Sequence, residues 1–367
     1  MDIERLVAAG VYDPDAPDAA GRLALIRHLA DRGVGDEEMV EAHRRGRLVF
    51  AASDRLLFPD RDRRTVEGAA RDLGVPIEHV ARLRMATALP ADPEAVVLAS
   101  FEETLRAFDA AAAIFGEAPT LAFTRVLGAS ARRVGEAALS LFGAEVAPEL
   151  STEVEFAEAT EIAQIAAASI PAVFESLLWE HWFQASAGPA PTQSQPDAGN
   201  ERVTAVAFVD LADSTAWTER LTLRDHAIAL GRFDTMAWDL AVASGARVVK
   251  MIGDEAMIVA PDASSLVGAA TALCAAVHED ADLPDARGAV GFGPVFTRDG
   301  DYFGPVVNLA SRCVKLADPG SVVVTEETRA ALVSSGWTGP IGPRSPAIGP
   351  RGDGAGDRVC RGPRRRR

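Results

Sequence analysis

Apolar and polar positions repeat differently in the two halves of this 367-residue chain. Over residues 1–185 the apolar residues recur every three or four positions, the period of a helix with one buried face. In the span 20–32, Leu23, Ile26 and Leu29 share such a face. A second helix opens at Asp36-Glu37-Glu38, where acidic residues suit the helix dipole, and runs toward Val49. Further helices are predicted over 65–89, 93–115, 121–142 and 152–185. Pro76, Pro90, Pro119 and Pro148 punctuate them. The first half therefore reads as almost all helix.

Residues 186–200 are polar and Pro-rich, the composition of a linker. Beyond them the pattern becomes mixed. Residues 203–211 form a near-continuous apolar run, read as a strand, and 223–244 form a helix with Ile228, Phe233 and Leu240 as core candidates. Two short strands, 248–252 and 256–259, flank Gly253-Asp254-Glu255, whose Gly-Asp pairing favours a hairpin turn. A helix over 264–279, a strand over 286–296, a helix over 306–317, a strand over 322–325 and a helix from 326 complete the pattern. The layout is α+β: an all-helical N-terminal domain, then a ferredoxin-like sheet covered by helices on one face. Residues 336–367 are rich in Gly, Pro and Arg with little apolar periodicity. They read as a tail unable to bury enough surface to offset its chain entropy.

Composition narrows the function. A net charge of −16 argues against a general nucleic-acid or anionic-membrane binder but leaves room for a single nucleotide. No run of about 18 consecutive apolar residues is present, so no membrane span is expected. The acidic start, Met1-Asp2-Ile3-Glu4-Arg5, lacks a signal-peptide core. Cys274, Cys313 and Cys360 have neither metal-site spacing nor a disulfide framework, which fits a cytoplasmic protein. Residues 65–83 have the look of a helix-turn-helix. Its second helix offers only Glu78, His79, Arg82 and Arg84 for contacts, which favours structural packing over DNA reading.

Candidate chemistry gathers in the second half. Lys250 stands four residues before Asp254. Around them lie Phe208-Val209-Asp210-Leu211-Ala212-Asp213-Ser214-Thr215, Arg287-Gly288-Ala289-Val290-Gly291 and Asp301-Tyr302-Phe303-Gly304-Pro305-Val306-Val307-Asn308-Leu309-Ala310-Ser311-Arg312. In order and spacing, residues 201–335 resemble the class III nucleotidyl cyclase catalytic domain. The segments Val11-Tyr12-Asp13-Pro14 and Asp36–Ala42 resemble the helical regulatory domain of some actinobacterial cyclases.

The resemblance implies conversion of ATP to 3′,5′-cyclic AMP and pyrophosphate in a soluble homodimer restrained by its N-terminal domain. It makes Asp210 and Asp254 ligands of two Mg²⁺ or Mn²⁺ ions, with the Leu211 carbonyl completing the shell. Two carboxylates forced together repel, and a hard divalent cation relieves that cost. One ion would lower the pKa of the attacking ribose hydroxyl, the other would neutralise the triphosphate. The turn after Asp210 would offer backbone N–H groups to phosphate oxygens. Lys250 and Asp301 would read adenine, lysine donating to N1 and aspartate accepting from the N6 amine. Guanylate cyclases carry a different pair there. Asn308 and Arg312, one helical turn apart, would orient the ribose and stabilise charge on the α-phosphate, and Arg287 would touch the outer phosphates. Metal-binding and purine-reading residues of one site come from different subunits in this family. The family also ends in further strands with a basic residue near the triphosphate, which 336–367 does not offer. Two other readings stay open: a nucleotide-binding sensor disabled by that ending, and a DNA-binding regulator using 65–83.

Overall fold

The computed structural model describes residues 1–57, 63–186, 201–342, 344–348 and 357–361. The chain divides into two compact units, Met1–Ala190 and Pro191–Arg367.

The first unit contains α1 Ile3–Ala8, α2 Ala19–Asp31, α3 Asp36–Arg44, α4 Ala51–Leu57, β1 Arg63–Thr65, α5 Val66–Leu73, α6 Ile77–Ala86, β2 Val96–Leu98, α7 Phe101–Phe115, α8 Glu117–Glu145, α9 Glu153–Ala167 and α10 Ile170–Ser186. Two cores hold it. Leu6, Leu25, Ile26, Leu29 and Met39 fill one, and Val66, Val80, Leu83, Phe101, Leu105 and Phe108 fill the other. Nε2 of His28 and Nε of Arg32 each lie 2.7 Å from a carboxylate oxygen of the buried Glu161, which ties α2 to α9.

The span 65–89 is two helices, as the helix-turn-helix look of 65–83 suggests, because Gly74 at φ +66° closes α5 in the left-handed region. The next segment departs from expectation. The helix expected from Pro93 starts only at Phe101. Before it, Val66 and Glu67 donate to the carbonyls of Ala95 and Pro93, and β2 pairs antiparallel with β1. The unit is therefore not purely helical. By length and composition alone, Glu153–Ser186, which comprises α9 and α10, passes as long and apolar enough to cross a membrane. No residue of α10 is buried within the chain, and Trp179, Trp182 and Phe183 are largely exposed.

The second unit contains β3 Glu201–Leu211, α11 Ser214–Thr218, α12 Leu223–Ala243, β4 Arg247–Ile252, β5 Glu255–Ala260, α13 Ala263–Glu279, β6 Ala286–Arg298, β7 Asp301–Phe303, α14 Pro305–Cys313, β8 Val322–Thr325, α15 Glu326–Ser334, β9 Arg344–Ile348 and β10 Asp357–Arg361. The sheet runs β4-β5-β3-β6-β8-β10-β9, with β7 pairing β6. Its first four strands are antiparallel, the order a ferredoxin-like βαββαβ core produces.

Period-two alternation splits β3 cleanly. Ala205, Ala207, Val209 and Leu211 face a core shared with α12, α13 and α15. The α12 stripe there is Ala229, Phe233, Ala237 and Ala241, while Ile228 is 55% exposed. Three alanines let the helix lie close to the sheet around the fully buried Phe233, and Ile228, one position off this stripe, turns outward. Val206 and Phe208 face the other way, into a core with Val306, Ala310, Cys313 and Val314. Helical cover is thus not confined to one face: α14 and the 3₁₀ turn Val314–Leu316 pack on the second. At Gly291 an added Cβ would lie 2.7 Å from Val306 Cγ2 and 3.1 Å from the Val306 carbonyl, so α14 sits against bare backbone.

The stretch from 336 also departs from the tail expectation. Trp337 and Ile341 pack against the larger core. β10 pairs antiparallel with β8, Val359 opposite Thr325 and Cys360 opposite Val324, and β9 pairs with β10. An open β8 edge presents a row of backbone donors and acceptors, which recruits strands even from a Gly- and Pro-rich sequence. The remaining residues beyond 342 lie outside the described ones.

Candidate active site

Two neighbouring strand ends build the acidic part. Asp210 lies opposite Glu255 on β5 and opposite Arg287 on β6. By alternation all three side chains project from the α14 face of the sheet. The Gly253-Asp254 turn, with Gly253 at φ +65°, brings Asp254 beside them, and Leu211 N donates to the Asp254 carbonyl at 3.2 Å. Asp210 and Asp254, 44 positions apart in the sequence, are therefore brought together.

The electrostatics of this corner are those of crowded carboxylates. Burial raises the Asp210 carboxyl above the ordinary range and Asp254 adds to it, while the hydrogen bond and charge of Arg287 oppose both. Arg287 donates to Asp210 Oδ2 from Nη2 at 3.0 Å and from Nε at 3.3 Å. Glu255 is pushed up to about 7, first by burial and then by Asp210 and Asp254. Such a cluster is short of positive charge, and hard oxygen donors without nitrogen or sulfur suit Mg²⁺ or Mn²⁺. Among the described residues no three His, Cys, Asp or Glu side chains gather as a metal site. The residues fit a cation held by two aspartates with backbone and ligand oxygens, rather than an all-protein cage.

Lys250 and Asp301 also meet: Lys250 Nζ donates to Asp301 Oδ2. The other oxygen of Asp301 accepts from Tyr302 N at 2.8 Å, and the Tyr302 hydroxyl accepts from Arg247 Nη2 at 2.9 Å. Arg202 and Arg247 flank the Tyr302 ring. Lys250 stands opposite Met257, which stands opposite Phe208. Two strands across and two residues along place it about 12 Å from Asp210 on the same face. The carboxylate corner and the Lys250–Asp301 pair are thus two clusters on one sheet face.

Asn308 and Arg312 are exposed on α14, opposite its buried Val306, Ala310 and Cys313. Arg312 Nε donates to the Asn308 carbonyl at 3.2 Å, so the two are neighbours. Among the described residues neither bonds to Asp210, Asp254, Lys250 or Asp301. The turn after Asp210 differs from expectation in one respect. α11 has only five residues and Asp213 makes no side-chain cap, and the N–H groups of Leu211 and Ala212 donate to the carbonyls of Asp254 and Asp285, so these two are not offered to a phosphate as expected. Asp213 holds φ +55°, in the left-handed region that glycine adopts freely and aspartate tolerates better than most side chains.

Sequence reasoning missed Glu255 and Tyr302. Alternation along 255–260 could have put Glu255 on the Asp210 face. Nothing local to Tyr302 announces its part in fixing Asp301, because β7 is three residues long.

The folded second unit, with paired aspartates at one strand corner and a lysine–aspartate contact further along, has the arrangement expected of a nucleotidyl cyclase catalytic domain. No family model matches the chain. An uncharacterised protein of Mycobacterium tuberculosis is 32% identical over 338 residues, covering 90% of this chain and 88% of that protein. A pH-sensitive adenylate cyclase of the same species is 28% identical over 323 residues, covering 85% and 80%. An adenylate cyclase of Streptomyces coelicolor is 35% identical over 147 residues, 40% of this chain and 39% of that one. The chain belongs to the class III adenylate cyclase family, in the actinobacterial arrangement of helical region followed by catalytic domain.

Proposed function

We propose that this protein converts ATP to 3′,5′-cyclic AMP and pyrophosphate at sites shared between two copies of the chain, under control of its N-terminal unit. The observation that carries the reading is the Lys250–Asp301 contact on the sheet face that also bears Asp210 and Asp254. A lysine donor beside a carboxylate acceptor matches adenine N1 and its N6 amine and mismatches guanine at both positions.

The division of residues supports two shared sites. Asn308 and Arg312 point outward from α14, where a second copy can meet them. The exposed aromatic face of α10 supports pairing through the N-terminal unit as well, since apolar surface of that extent seeks cover.

In the assembled site Asp210, Asp254 and the Leu211 carbonyl would hold two divalent ions. Such ions supply an acidified ribose 3′-hydroxyl and neutralise the triphosphate. Lys250 and Asp301 of the other copy fix the base, and its Asn308 fixes the ribose. The 3′-oxygen then forms a bond to the α-phosphorus as the bond to the β-phosphate oxygen breaks. Arg312, always charged and planar, stabilises the charge developing on the α-phosphate. Arg287 reaches the outer phosphates once Asp210 turns to a cation.

The test is cyclic AMP formation by the full chain with Mn²⁺–ATP. Binding of ATP without product would favour the sensor reading. A regulator of DNA has little support. In the first unit Arg82 pairs with Glu117, His79 with Asp109, and Arg84 donates to backbone carbonyls of Pro90 and Val96.

A further inference from the structure

Lys315 has no place in the roles above. It lies in the 3₁₀ turn Val314–Leu316 that continues α14. Val314 and Ala317 anchor this turn in the core beneath the Asp210 face, while Lys315 itself is exposed. Its charge acts on both Asp210 and Glu255. Among the described residues it nevertheless makes no ion pair or hydrogen bond. Three carboxylates therefore share the corner with two cations. Arg287 is committed to Asp210, and Lys315 is free.

We infer that Lys315 binds the outer phosphates of the nucleotide held at the Asp210 and Asp254 of its own chain. The inference rests on the cyclase-site reading and adds to it. A long flexible ammonium beside a carboxylate corner, bonded to none of it, is a point charge available to phosphate oxygens. One short element then serves two sites. Asn308 and Arg312 stand exposed on α14 for the partner, and three residues further on Lys315 lies in a turn packed on the face that bears the chain's own Asp210.

The experiment measures dissociation constants of the unreactive α,β-methylene-ATP and of AMP, with Mg²⁺, for the full-length wild type, Lys315→Ala and Lys315→Arg. Because Lys315 is exposed, both variants should fold, and a matching thermal transition checks this. The expected result is about tenfold weaker binding of the triphosphate analogue by Lys315→Ala, with AMP changed less than about twofold. Lys315→Arg should bind the analogue nearly as wild type does. Equal binding of the analogue by wild type and Lys315→Ala, or equal weakening of AMP and the analogue, overturns the role of Lys315 alone. A wild type that binds neither ligand overturns the cyclase-site reading and this inference together.

Discussion

The guanidinium of Arg287 donates two hydrogen bonds to the same oxygen of Asp210, at 3.0 and 3.3 Å, inside a corner with two further carboxylates. An arginine so placed competes with any cation for that oxygen. Arg287→Ala should therefore lower the Mn²⁺ concentration needed for half-maximal activity severalfold. The rate at saturating metal should fall, because the outer phosphates lose a donor. A metal titration of cyclic AMP formation reads both effects; an unchanged half-saturation point would show that the pair does not gate the metal.

Separation of Asp210 from Asn308 within one chain yields a mixing test. Asp210→Ala and Asn308→Ala should each be nearly inactive alone. Mixed in equal amounts they should recover roughly a quarter of wild-type activity, since half the dimers are heterodimers with one intact site. Persistent inactivity, with exchange of subunits verified, would contradict shared sites.

Base choice should follow the Lys250–Asp301 pair. Lys250→Glu combined with Asp301→Cys replaces the donor and acceptor by groups of the guanylate cyclase kind. The preference for ATP over GTP, read as a ratio of kcat/KM, should fall by at least ~10²-fold. Retained preference would place base recognition elsewhere.

Asp234 offers a test of stability away from the site. One of its carboxylate oxygens is buried without a hydrogen bond among the described residues, and burial raises its pKa. A carboxyl raised on folding costs nothing at low pH, where both states are protonated. The cost enters as pH climbs through the ordinary carboxylate range and is complete above the folded-state value. Asp234→Asn should thus raise the Tm at pH 7 and leave it unchanged near pH 3. Its partial exposure holds the gain to about 1 kcal/mol or less.

Asp213 holds φ +55° in the turn beside the carboxylate corner. Asp213→Gly should shift the Tm by no more than about a degree or two, since aspartate tolerates the left-handed region and glycine adds unfolded-state entropy. It should also tighten nucleotide binding by removing a negative charge near the phosphates. Thermal melts and binding isotherms separate the two effects.

Much of the catalytic domain was legible because its signals are local. The apolar run 203–211, the Gly253-Asp254 turn and the Ala-rich 264–279 each carry their own period or turn chemistry. Site residues followed from motif resemblance, and the structure brings Asp210 to Asp254 and Lys250 to Asp301. What escaped depends on distant partners. β1 and β2 are three residues each and exist only because they meet across 31 to 35 positions. β9 and β10 form on an edge that no local period reveals. On α12 the choice between Ile228 and the alanine stripe was set by how closely the helix approaches the sheet, which a sequence does not print.

Gly291 has no functional group, yet it determines how deeply α14 settles on the strand behind it. Asn308 and Arg312 ride on the far side of that helix, so a methyl group at 291 would push both outward from the sheet. The reach of these two side chains is thus metered by the thickness of a single hydrogen atom in the strand beneath them.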